Sequence, residues 1–94
     1  MKKVVVIKVG GAILENEESL CRLLDDFAAL PGNKVLVHGG GRAATRIAAD
    51  LGIESQMING RRVTDEKMLD IVTMVYGGLV NKHAVAGLQS RGVN

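Results

Sequence analysis

Two β-branched runs that lead directly into consecutive glycines set the strongest limit on what this chain can fold into. Val4-Val5-Val6-Ile7 is followed by Lys8, Val9 and the pair Gly10-Gly11. Val35-Leu36-Val37 is followed by His38 and the triplet Gly39-Gly40-Gly41. Short continuous apolar runs of this kind read as strands buried on both faces, as in a parallel sheet. Between them Leu20, Leu23, Leu24 and Phe27 recur at helical spacing. Asn16 is the expected N-cap of that helix, Glu17 and Glu18 suit its first turn, and Pro31-Gly32 stops it. After the second run Ala44, Ile47, Ala48 and Leu51 repeat the stripe, and Gly52 closes it. Strand, helix, strand, helix is the pattern of a parallel α/β sheet with right-handed crossovers.

The next stretch breaks the alternation. Met57-Ile58 and Arg62-Val63 flank Asn59-Gly60, the strongest short hairpin signal, so a small antiparallel excursion is expected near residues 56–64. Thr64 is the expected cap of a longer helix reaching about Ser90, with Asp65 and Glu66 near its positive end. Met68, Ile71, Val72, Val75 and Leu79 form its apolar stripe, and Gly77-Gly78 either weakens it or admits a close backbone. Two parallel strands alone do not make a stable sheet, because such sheets need several strands with helices over both faces. The expected fold is therefore an open parallel three-layer α/β/α sheet, incomplete in residues 1–94. A chain complete at this length would instead need a partner over its exposed edges.

Composition narrows the function classes. The apolar fraction of 47% is ample for a packed core. Twelve Lys plus Arg against ten Asp plus Glu give a net charge of +2, too balanced for a general nucleic-acid binder. Tyr76 and Phe27 are the only aromatic residues, which also argues against base stacking on single strands. Cys21 is alone, so neither an internal disulfide nor a multi-cysteine zinc site is expected. No signal peptide opens the chain and no apolar stretch reaches the roughly 18 residues of a membrane helix. A cytoplasmic setting, without membrane or nucleic-acid partners, is expected.

The glycine turns are where chemistry is expected, since ligands of open α/β sheets bind beyond the carboxyl ends of the strands. Lys8 ends an apolar strand beside Gly10 and Gly11. Either its stem simply snorkels over an ordinary turn, or its ammonium and the bare amides meet a phosphoryl group. His38-Gly39-Gly40-Gly41 leads into a helix, whose free N–H groups and positive dipole end suit an anion. One glycine would suffice for the turn; three point to something touching the backbone at Gly40 and Gly41. His38 itself reads as a hydrogen-bonded structural residue more readily than as a base or ligand. Arg61-Arg62 follows the hairpin turn and is either a solvated pair or a bidentate grip on a carboxylate. Asn81-Lys82-His83 and Arg42 with Arg46 read as solvated helix faces, and Met68 and Met74 as packing residues.

Rival motifs fit less well. No Gly-x-x-x-x-Gly-Lys-Ser/Thr phosphate loop occurs. Gly39, Gly41 and Ala44 satisfy a loose dinucleotide fingerprint, but Asn59 to Arg62 stand where its acidic residue belongs. His-Gly-Gly-Gly also occurs as an esterase oxyanion loop, yet none of Ser19, Ser55 and Ser90 lies in a nucleophile elbow.

On Lys8-Val9-Gly10-Gly11, His38-Gly39-Gly40-Gly41 and Asn59-Gly60-Arg61-Arg62-Val63-Thr64, the chain resembles the amino-acid kinase family over essentially all its length. The hairpin motif narrows the likeness to its acetylglutamate kinase branch. That resemblance implies an enzyme transferring the γ-phosphoryl group of ATP, with Mg2+, to the side-chain carboxylate of N-acetyl-L-glutamate or a related N-acylglutamate, in arginine biosynthesis. It implies Lys8 as the catalytic charge neutraliser, Gly10 and Gly11 as phosphate contacts, and Gly40, Gly41 and Arg62 as substrate contacts. No protein metal ligand is implied in this chain. Residues 1–94 would be the acylamino-acid-binding part, with the nucleotide-binding half and a second catalytic lysine lying beyond and with little activity expected from this part alone. A strand starting near Met1 suggests the dimeric, arginine-insensitive form, its homodimer contact on the helix from Asp65. Kinases for glutamate, aspartate, carbamate or UMP, or a non-catalytic anion-binding module, are the alternative readings.

Overall fold

The computed structural model describes residues 3–94. Strands β1 (Val4–Val9) and β2 (Asn33–His38) run parallel, in register from Val4 against Asn33 to Val9 against His38. The crossover between them holds α1 (Gly11–Glu15) and α2 (Glu17–Ala29). Asn16 caps α2 as expected, its Oδ1 accepting from Ser19 N–H at 2.9 Å. The far end of α2 is closed by a residue of β2: Lys34 Nζ donates to the carbonyls of Ala28, at 3.1 Å, and Leu30, and its ammonium lies 5.3 Å from the Phe27 ring centre. A cation thus meets the negative end of the helix dipole.

Helix α3 (Gly41–Asp50) follows β2, then the antiparallel hairpin of β3 (Gln56–Ile58) and β4 (Arg61–Val63). Asn59 and Gly60 turn it with φ of 50° and 77°, the two left-handed residues that a tight hairpin turn demands. Then come α4 (Glu66–Val72), a π-helical segment (Thr73–Val80) and α5 (Asn81–Gln89). The central core joins Ala43, Ala44 and Ala48 of α3 to Met68 and Ile71 of α4 and to Val75. Three alanines on one face let the helices approach closely.

Three expectations need correction. The cap of the long helix is Asp65, not Thr64: its carboxylate accepts from Met68 N–H at 2.8 Å, and helical geometry begins only at Glu66. The strands are not buried on both faces. Val4, Val6, Val35 and Val37, which share one face, are 53, 63, 46 and 41% exposed, whereas on the opposite face exposure falls from 43% at Val5 to 2% at Val9. The described helices therefore cover one face of the sheet, giving two layers of the expected three. The long helix is also not uniformly α-helical. Around Gly77 and Gly78 no neighbour approaches within 4 Å of where a Cβ would stand, so these glycines are not a close-packing point. Instead the backbone widens into π-helix, which rotates the apolar stripe and leaves Leu79 51% exposed.

Candidate functional site

Parallel register decides the site. Lys8 lies beside Val37 and Val9 beside His38, so Gly10-Gly11 and Gly39-Gly40-Gly41 leave the sheet at the same carboxyl edge. Gly10 and Gly40 are the cap positions of α1 and α3, and neither helix start is satisfied by a side chain. First-turn amides therefore stay available at this edge. Lys8 is exposed, with no hydrogen-bond or ion-pair partner among the described residues, on the face it shares with Val4 and Val6. Arg42 runs across Gly11, so that a Cβ there would stand 3.4 Å from its Cγ, and Arg46 pairs with Glu15 at 3.1 Å. Both arginines are exposed, as expected of a solvated helix face, and Arg46 pairs across the surface with α1.

The triple-glycine loop is held on its other side by the π-helical segment. Tyr76 lies against Gly40, where a Cβ would come within 3.0 Å of Cδ1 and 3.3 Å of Cε1. The same test at Gly41 places the Tyr76 hydroxyl at 3.4 Å and Arg62 Nη2 at 3.7 Å. Only residues without side chains fit under this ring.

Arg62 reaches the loop from β4. Its Nη2 donates to Gly41 O and Thr45 Oγ1, both at 2.8 Å, and its Nη1 to Ser55 Oγ at 3.1 Å. Met68 Sδ lies a further 3.6 Å from Nη1. The guanidinium therefore docks the hairpin onto the start of α3. Its Nε–H has no protein partner among the described residues. His38 is hydrogen-bonded on both nitrogens, Nδ1 to Gly39 O at 2.7 Å and Nε2 to Asn81 Nδ2 at 3.1 Å. Asn81 is accordingly half-buried and structural, not a solvated position.

Every residue singled out in the two turns and at Arg62 thus gathers along one edge of the molecule. Sequence reasoning missed Tyr76, Asn81, Thr45 and Ser55. Tyr76 had a legible signal, four residues after Val72 on the apolar side of its helix. The other three are short polar side chains whose partners lie 7 to 43 residues away, and no local pattern marks them. A groove of about 300 Å3 adjoins the site, with Gly11, Gly40, Ala43, Leu79 and Val80 in its lining.

Lys8, two glycine turns and the N-terminus of α3 thus lie on the carboxyl edge of the parallel strands of an α/β protein, the edge at which ligands of open α/β sheets bind. The chain belongs to the amino acid kinase family, whose model matches residues 3–94. Among curated relatives it is 70% identical to acetylglutamate kinase of Bacteroides thetaiotaomicron over 99% of its length. It is 45% identical to that of Methanopyrus kandleri over 95%. The chain spans about a third of the length of these relatives, 36% and 33% respectively. Among solved structures, smu.665 from Streptococcus mutans is 28% identical and superposes with a TM-score of 0.80 over the whole chain and 39% of its own. N-acetylglutamate synthase from Neisseria gonorrhoeae, complexed with coenzyme A and N-acetyl-glutamate, is 30% identical, with a TM-score of 0.73 over 94% of this chain and 21% of its own. The parallel α/β architecture is common to them.

Proposed function

We propose that residues 1–94 form the amino-terminal, acylamino-acid-binding part of a kinase that phosphorylates the side-chain carboxylate of N-acetyl-L-glutamate, or a related N-acylglutamate, with ATP. The reading places the chain in arginine biosynthesis in the cytoplasm. The single observation that carries it is the parallel register that sets Lys8, Gly10-Gly11 and Gly40-Gly41 along one edge. The curated relatives named acetylglutamate kinase, and a similar structure that holds N-acetyl-glutamate, support the substrate class.

In this reading a carboxylate oxygen of the substrate attacks the γ-phosphorus of ATP. The bond from that phosphorus to the β,γ-bridging oxygen breaks, and ADP leaves with the electron pair. No general base is required, because a carboxylate is already a nucleophile and catalysis is mainly positioning and charge stabilisation. Lys8 neutralises charge on the transferring group, while Gly10 and Gly11 offer amides to phosphate oxygens. Gly40 and Gly41 offer the first-turn amides of α3 to the acylamino acid. Arg62 supplies positive charge and its Nε–H to a substrate carboxylate. A full bidentate grip would require it to exchange Thr45 or Ser55 for the ligand. Mg2+ in this reading accompanies the phosphates of ATP, and no residue of this chain is assigned to it. A homodimer through the helix starting near Asp65 belongs to the same proposal, supported by the exposure of Leu69 and Met74 along it.

Lys8→Ala in the full-length protein tests the reading. Turnover should fall by about a hundredfold or more, the scale for losing one charge-stabilising group. N-acetylglutamate affinity measured by calorimetry should change little. Unchanged turnover, or a wild-type protein that binds acylglutamate without phosphorylating it, would favour the non-catalytic module instead.

A further inference from the structure

The π-helical segment and the triple-glycine loop are joined by a hydrogen-bond relay that fixes how the loop presents its amides. Gly39 O can only accept, so the His38 nitrogen 2.7 Å away, Nδ1, must carry the proton. Neutral His38 then has its lone pair on Nε2, and the Asn81 group facing it at 3.1 Å must be the donating Nδ2–H2. For a neutral imidazole the carbonyl thus sets both the tautomer and the amide orientation. No other arrangement of neutral groups satisfies all three partners.

The relay depends on the widened helix. Asn81 N–H bonds to Tyr76 O, a five-residue step that belongs to π-helix. Residues five apart point well away from each other on an α-helix but come round to nearly the same side when the turn is widened. Tyr76 therefore covers Gly40 while Asn81 reaches His38, and the two together grip both ends of the Gly39–Gly40 peptide. An unbroken α-helix would present one or the other.

We propose that His38 and Asn81 are positioning residues: they hold the Gly39 carbonyl, and with it the direction of the Gly40 amide in the same peptide plane, in the orientation that receives the substrate. The π-helical segment is the device that brings Asn81 into place. This inference rests on the acylglutamate kinase reading for its ligand, although the relay itself does not. His38 touches no reacting atom in this scheme and acts through the backbone of the loop.

The test uses the full-length protein with His38→Ala, His38→Asn and Asn81→Ala, each checked for folding by thermal unfolding. The amide N–H of asparagine can stand where Nδ1–H stands, so His38→Asn keeps the bond to Gly39 O. The expected result is a rise of about tenfold in KM for N-acetylglutamate in His38→Ala and severalfold in Asn81→Ala, the scale of one hydrogen bond. KM for ATP should stay unchanged, and His38→Asn should recover most of the loss. Nitrogen-15 shifts of His38 in the wild type should show the Nδ1–H tautomer. Equal KM values in all three variants, no recovery by His38→Asn, or the Nε2–H tautomer would each overturn the proposal. A wild-type protein that shows the Nδ1–H tautomer yet neither binds nor phosphorylates acylglutamate would overturn the kinase reading and leave the relay standing.

Discussion

Replacing Gly40 by alanine is the sharpest test of how the loop is packed. A methyl group there would stand 3.0 Å from Tyr76 Cδ1, 3.3 Å from Cε1 and 3.3 Å from Val80 Cγ2. These atoms belong to a half-buried ring and to a branched side chain, not to the free end of a flexible one, so they yield only by shifting the π-helical segment. Overpacking of this kind costs about 1–3 kcal/mol. With a urea dependence of about 2 kcal/mol per M, the unfolding midpoint should fall by about 0.5–1.5 M. Gly77→Ala is the internal control, since no neighbour lies within 4 Å of its Cβ position. Its midpoint should stay or rise, because alanine is favoured over glycine inside a helix by about 0.5–1 kcal/mol. A double-mutant cycle isolates the cause. Tyr76→Ala is itself strongly destabilising, but in its background Gly40→Ala should cost about 1 kcal/mol less than in the wild type. The residual cost then belongs to Val80 and to the backbone of Gly40, whose φ of 158° an L-residue rarely adopts. A Gly40→Ala midpoint equal to that of the wild type, or an identical loss with and without the ring, would refute the close approach of Tyr76 to the loop.

Two other substitutions probe how the site is held. Asp65→Ala should cost about 1 kcal/mol of stability in urea unfolding and Thr64→Ala much less, because the 2.8 Å cap bond to Met68 N–H belongs to Asp65; the reverse order would restore Thr64 as the cap. Arg62→Lys keeps the charge but cannot span Ser55, Gly41 and Thr45 from one planar fork, so it should lower stability by about 1–2 kcal/mol and weaken acylglutamate binding in calorimetry. Equal stability and affinity in Arg62→Lys would show that only its charge matters.

Local chemistry by itself determined the strands, the main helices, the hairpin turn and the two glycine loops. Valine and isoleucine runs prefer extended backbone, alanine and leucine at helical spacing need a partner face, and Asn59-Gly60 tolerates the two positive φ angles that its turn imposes. These causes act within a few residues, so they can be read along the chain. The tertiary structure decided the rest. Which strand face the helices cover, whether Leu79 is buried, and what lies over Gly40 depend on contacts between segments far apart in sequence. Arg62 and Gly41 are 21 residues apart, His38 and Asn81 are 43 apart, and a single widened helical turn is what allows the second pair to meet. Gly77-Gly78 mark locally where that helix is weak, but that the weakness becomes a widened turn facing the glycine loop is decided by the tertiary structure.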